Sequence, residues 1–156
     1  MRVALDTSGY SALMRGHGDV TALVRRAETV LLPAVVAGEL LYGFRYGSRF
    51  DENAARLDAF LETPPVRLLP VTFVTADRFG RIATVLREKG TPIPTNDIWI
   101  AAQAMEAGAD LVSSDAHFGL VEGLAWVPFS PKDETSVRER VRRYHAGGGA
   151  GRQSAP

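Results

Sequence analysis

Five short runs rich in β-branched residues and leucine alternate with stretches of helical period, and this alternation restricts the chain to an α/β protein with a mainly parallel sheet. Strands are expected near 2–5, 29–32, 66–69, 110–113 and 125–127. Helices are expected over 7–14, 19–27, 34–46, 51–62, 73–89 and 96–107, with a short turn near 116–121. In the helix after Asn96, the residues Ile98, Ala101, Ala102 and Met105 recur at the i, i+3, i+4, i+7 spacing of a buried face, and Phe79, Ile82, Ala83 and Leu86 do the same in the helix before it. Asp51 is placed to cap the helix whose buried face is Leu57, Phe60 and Leu61, while Gly90 and Gly108 stand where glycines end helices.

Against this background four carboxylates are out of place. Asp6 ends Val3-Ala4-Leu5, Glu39 interrupts Val35-Val36-Ala37-Gly38 and Leu40-Leu41, Asp97 opens Ile98-Trp99-Ile100-Ala101-Ala102, and Asp115 follows Leu111-Val112-Ser113-Ser114. An ionised carboxylate beside an apolar run carries a large desolvation cost unless it is paired, hydrogen-bonded or bound to a cation. No Lys or Arg stands next to any of the four in sequence. If the fold brings them together, mutual repulsion raises their pKa values until a divalent cation relieves it, so the pattern points to a metal site.

Other duties for the same residues stay open. Asp6 and Asp97 are also placed to cap helices, and Asp115 to close an Asx-turn. Glu39 is the hardest of the four to explain without a partner, because it sits mid-helix among core residues. Asp77 reads as a favourable charge at a helix start, His117 as a turn or capping residue, and His17, between two glycines, as an exposed loop residue. Arg45 and Arg49 are placed to meet a nucleic-acid backbone or to remain solvated.

Length and composition set outer limits. With 156 residues, 46% of them hydrophobic, the chain is of a size for one compact domain. There is no cysteine, so disulfides, thiolate metal sites and cysteine nucleophiles are excluded. The longest apolar stretch, Val30 to Gly38, is broken by Pro33 and falls far short of the ~20 residues that span a bilayer. Asp6 arrives before a signal-peptide core forms. The expectation is a soluble cytoplasmic protein with no membrane segment.

The formal net charge is zero, unlike that of a generic high-pI nucleic-acid binder. Six of the 18 basic and three of the 18 acidic side chains lie in residues 131–156, leaving 12 basic and 15 acidic in the rest. The body is therefore mildly acidic, and Arg138, Arg140, Arg142, Arg143 and Arg152 form a dense basic cluster that suits phosphate. The folded domain is expected over 1–131, followed by a flexible, charged, Gly-rich tail over 132–156.

Four segments, in order and spacing, resemble those of PIN-domain ribonucleases. They are Asp6-Thr7-Ser8, Ala37-Gly38-Glu39-Leu40-Leu41-Tyr42-Gly43, Asn96-Asp97-Ile98-Trp99-Ile100-Ala101-Ala102, and Ser113-Ser114-Asp115-Ala116-His117-Phe118. The chain looks like a VapC-type toxin of the VapBC toxin–antitoxin systems over residues 1 to about 130. It departs from the pattern in having Asn96 directly before Asp97, and Ser113-Ser114 where threonine is frequent. The resemblance implies a PIN-like α/β/α sandwich around a mainly parallel five-stranded sheet.

The resemblance also implies that Asp6 and Asp97 ligate Mg²⁺ or Mn²⁺, with Glu39 and Asp115 completing the site, Ser8 hydrogen-bonding within the acidic cluster and Asn96 supporting it. The implied activity is metal-dependent cleavage of structured RNA such as tRNA or rRNA. The implied partners are that RNA, a second copy in a homodimer, and a VapB-like antitoxin that fills the acidic groove and wraps the helices over 34–62. Tyr42, Phe44, Tyr46 and Phe50 would offer that antitoxin an apolar surface. A PIN-fold module that binds RNA or protein without cutting is the alternative. Phosphoaspartyl transfer ranks below both, because Asp6-Thr7-Ser8 lacks a second aspartate two residues on.

Overall fold

Val3, Ala4 and Leu5 are fully buried, as they must be in a strand covered on both faces, and they form β1 (Arg2–Leu5) at the centre of the sheet. The structure, a computed structural model, describes residues 1–131; the tail expected over 132–156, with its arginines, lies outside the described residues. Beside β1 stand β2 (Thr29–Pro33) and β4 (Asp110–Ser113), with β3 (Val66–Leu69) and β5 (Trp126–Pro128) at the edges, in the order β3-β2-β1-β4-β5. Every pairing is parallel, so the sheet expected as mainly parallel is wholly so among the described residues.

The helices are α1 (Thr7–Met14), α2 (Gly18–Arg26), α3 (Ala34–Tyr46), α4 (Phe50–Glu62), α5 (Phe73–Glu88) and α6 (Thr95–Glu106), with a 3-10 turn at Ala116–Leu120. Together they complete an α/β/α sandwich around the five-stranded sheet. Phe79 of α5 stacks on Trp99 of α6 with ring centroids 4.2 Å apart, and Tyr10 of α1 meets Phe60 of α4 edge-on at 5.3 Å. Gly90 and Gly108 take the positive φ (68° and 60°) of helix-ending glycines. No helix among the described residues is long and apolar enough to cross a membrane.

The strand order locates the functional crevice. From β1 the chain steps outward to β2 and β3, then crosses back to β4 and β5 on the other side. The direction of winding thus reverses between β1 and β4, and ligands of open α/β sheets bind outside the carboxyl ends of strands at such a reversal. Asp6 and Asp115 follow those two strands.

Three local expectations are corrected. His17 is not in an exposed loop: it is 2% exposed, caps α2 through Nδ1, contacts the Ser130 carbonyl at 3.0 Å through Nε2 and meets Phe129 edge-on. Its ring closes the chain's last described residues onto the turn between α1 and α2, a long-range contact that two flanking glycines do not announce. Asp51 is the second residue of α4 and Arg49 holds the cap position, so its charge favours the helix dipole without a capping bond. Asp77 lies a full turn inside α5, where Thr72 and Thr75 form the capping box, and it pairs with Arg81 at 2.9 Å.

Candidate active site

Asp6 is nearly inaccessible, at 6% exposure, and its oxygens are fixed from three sides. Oδ1 accepts from the Gly9 amide at 2.7 Å, capping α1, and from Ser8 Oγ at 2.6 Å, while Oδ2 accepts from Ser113 Oγ at 2.5 Å. Burial pushes this carboxyl above its ordinary value, partly offset by the bonds from Ser113, Ser8 and Gly9, and the nearby Asp115 charge pushes the same way as burial. Ser8 Oγ also accepts from the Ser114 amide at 3.0 Å, tying α1 to the end of β4.

Glu39 reaches the same place from the middle of α3. Its helix starts directly after β2, and Val36 and Leu40, three residues before it and one after, are buried. Thr7 Oγ1 donates to Oε1 at 2.9 Å, and Asn96 Nδ2 lies 3.5 Å from Oε2.

Asp97 is the third residue of α6, behind Pro94 at the cap position, so its carboxylate is not spent on capping. Its Oδ2 is buried and has no hydrogen-bond partner among the described residues. Burial, the charges of Asp115 and Glu39, and more weakly Asp6, raise its pKa to about 6, with His117 opposing the rise. Asp115 closes an Asx-type turn, its Oδ1 accepting from the His117 amide at 2.9 Å. The His117 ring folds back with it: Nδ1 stands 3.0 Å from Asp115 Oδ1 and 3.6 Å from Asp97 Oδ2.

All four acidic residues line one pocket of about 390 Å³, together with Thr7, Ser8, Ser11, Ser114 and the apolar wall of Ile100. Ser8 stands at Asp6 and Asn96 at Glu39. Sequence reasoning missed Thr7, Ser113 and the ring of His117. Thr7 and Ser113 had one available signal, a small hydroxyl residue next to or two positions from a core-flanking aspartate. Carboxylates, hydroxyls and one imidazole are the donor set of a hard or borderline divalent cation. The buried, unpartnered Oδ2 of Asp97 fits such an ion, because a bare oxygen in that position otherwise keeps its whole desolvation cost.

Fold and pocket together define a parallel α/β protein with a carboxylate cluster at the reversal of its sheet. The family profile described as PIN domain matches residues 3–124. The chain is similar to ribonuclease VapC5 of Mycobacterium tuberculosis, with 30% identity over 123 residues that cover 79% of this chain and 90% of the relative. The structure of VapBC2 from Rickettsia felis bound to a DNA fragment from their promoter superimposes with a TM-score of 0.72 at 24% identity, covering 83% of this chain and 100% of that one. VapBC-5 from Mycobacterium tuberculosis, a member of the VapBC family of toxin–antitoxin systems, gives 0.61 at 26% identity over 82% of this chain and 97% of that one. The chain therefore belongs to the PIN-domain family, among its VapC-type proteins.

Proposed function

We propose that this chain is a metal-dependent endoribonuclease, the toxin of a type II toxin–antitoxin pair, acting on structured RNA such as tRNA or rRNA. One observation carries the reading: Asp97 presents a buried oxygen, without a hydrogen-bond partner among the described residues, to a pocket where three other carboxylates converge. Such a pocket repels a phosphodiester unless its charge is offset, and Asp6, Asp97, Glu39 and Asp115 are the groups that would hold the offsetting Mg²⁺ or Mn²⁺. When bound, a divalent ion there supplies Lewis acidity that polarises the scissile phosphate and eases deprotonation of water.

The protein's part is orientation. Ser113, Ser8 and the Gly9 amide lock Asp6 in one rotamer, and Thr7 holds Glu39 across the pocket mouth. Ile100 supplies an apolar wall to the pocket. A pre-set ligand geometry lowers the reorganisation needed when charge develops on the phosphate.

The partner expected for a VapC-type chain is its cognate VapB-like antitoxin, with homodimerisation and a cytoplasmic site of action. Tyr42 and Tyr46, 65% and 79% exposed, form an edge-on pair at 5.0 Å on α3 with their hydroxyls 3.1 Å apart, and they follow Glu39 along one helical stripe. An antitoxin covering them would also reach the acidic pocket. Phe44 packs against the core and Phe50 lies under the Arg45 guanidinium at 4.2 Å, so the two tyrosines are the accessible part of the aromatic group.

The test is to incubate purified, antitoxin-free protein with total RNA, with Mg²⁺ or Mn²⁺ and with chelator, and map new 5′ ends. Discrete ends that need the ion support the reading; no ion-dependent ends overturn it.

A further inference from the structure

Three donor atoms at the acidic cluster form a set of their own. The Asx-type turn at Asp115 carries the next-but-one residue back over the carboxylate, so His117 Nδ1 lies 3.0 Å from Asp115 Oδ1 and 3.6 Å from Asp97 Oδ2. Asp97, Asp115 and His117 each bring one ligand atom within 4.8 Å of the other two. Adjacent ligands on an octahedral ion with bonds of about 2.1 Å stand about 3.0 Å apart, so two edges of a coordination face are already close to size. His117 Nδ1 is the atom common to both edges, and one of its two neighbours, Asp97 Oδ2, is buried and accepts no hydrogen bond among the described residues. His117 is half exposed, so its ring can turn by a small angle without unpacking the core.

We infer that His117 is a protein ligand of the divalent ion, together with Asp97 and Asp115, and that this nitrogen makes the site prefer Mn²⁺ over Mg²⁺. The inference rests on the reading of the pocket as a metal site and goes beyond it by naming a ligand and a selectivity. Oxygen donors alone serve Mg²⁺ and Mn²⁺ alike. An imidazole is a softer donor that suits first-row transition ions, whereas Mg²⁺ gives up its waters reluctantly and gains little from nitrogen. If His117 merely steadied Asp115 by a hydrogen bond, its loss would weaken both ions together.

Full-length protein, wild type and with His117→Ala or His117→Gln, is loaded with Mn²⁺ and studied by pulsed EPR, and Mn²⁺ and Mg²⁺ are each titrated calorimetrically. The expected result is a histidine-nitrogen modulation on Mn²⁺ in the wild type that vanishes in both variants. Mn²⁺ affinity falls about tenfold or more while Mg²⁺ affinity is little changed. Far-ultraviolet circular dichroism establishes that both variants are folded. No nitrogen modulation in the wild type, its persistence in the variants, or an equal loss for both ions overturns the inference. RNA cleavage measured on the same samples separates the two readings. Nitrogen ligation without cleavage supports the ligand and removes the nuclease; cleavage without nitrogen ligation does the reverse. Failure to bind either ion overturns both.

Discussion

Ser113 donates its hydroxyl to Asp6 Oδ2 across 2.5 Å, joining two residues 107 positions apart at the ends of adjacent strands. The same hydroxyl oxygen accepts from the Asp115 amide at 2.9 Å, and the Ser113 carbonyl is held by the Trp126 indole at 3.0 Å. One fully buried serine thus sets the relative position of two acidic residues. Ser113→Ala is expected to cost roughly 1–3 kcal/mol of stability by leaving Asp6 Oδ2 without its donor. It should also lower divalent-ion affinity by about 10–100-fold, as loss of a supporting bond to a ligand does. Denaturant unfolding and calorimetric titration check both; a variant indistinguishable from wild type would show that the serine only fills space.

The raised pKa of Asp97 makes ion-free stability depend on pH with a definite sign. Its carboxyl keeps a proton up to about pH 6 in the folded chain, against an ordinary value of 3.8. The folded state therefore binds more protons than the unfolded one between about pH 4 and 6, and this group's contribution is lost as pH rises through that window. Asp97→Asn carries no titrating group, so its melting temperature should match wild type near pH 4 and exceed it by several degrees at pH 7. Saturating Mn²⁺ should reverse the order at pH 7 by stabilising the wild type alone. Parallel melting curves for the two proteins across pH 4–7 would contradict the assignment.

Gly9 is required by proximity. A Cβ there would stand 2.5 Å from the Val112 carbonyl oxygen and 3.4 Å from Asp6 Oδ1, and the first of these is backbone that must move. Helix propensity favours Ala over Gly by about 1 kcal/mol, but displacing α1 from β4 costs roughly 1–3 kcal/mol, so Gly9→Ala should destabilise. It should also weaken ion binding, because the Gly9 amide holds Asp6 Oδ1. Thermal unfolding with and without Mn²⁺ checks this; an unchanged or raised melting temperature would mean that α1 has room to shift.

Period and burial made the architecture legible in advance. The Val-Ala-Leu and Leu-Val runs read as strands, and the Ile98, Ala101, Ala102 face as the buried side of a helix. The acidic positions stood out because a carboxylate beside such a run is costly unless it is paired, hydrogen-bonded or bound to a cation. What sequence could not supply was direction. His117 and His17 both sit near glycines or turns, yet one ring folds back onto Asp97 and Asp115 while the other is buried against Phe129. Ser113 belongs to a strand whose apolar neighbours hide that its own hydroxyl is bonded to Asp6. Asp51 and Asp77 were misplaced because helix ends are decided by backbone geometry over several residues, which one side chain does not reveal.

The accessible tyrosines give the partner prediction. Tyr42→Ala with Tyr46→Ala should weaken binding of the cognate antitoxin at least about tenfold, since each exposed ring is a candidate anchor and neither belongs to the core. Ion binding by the isolated chain should be unchanged in that variant. Surface plasmon resonance against the purified antitoxin checks the first and calorimetry the second; full antitoxin affinity would place the interface elsewhere.

The most direct measurement is single-turnover cleavage, with Mn²⁺ or Mg²⁺, of an RNA carrying a mapped cleavage position, by wild type, Asp6→Asn and Asp97→Asn. Rates reduced by several orders of magnitude are expected in both variants, with the fold retained, because each would lose a charge proposed to hold the ion at the scissile phosphate. Wild-type cleavage rates in both would contradict the proposal.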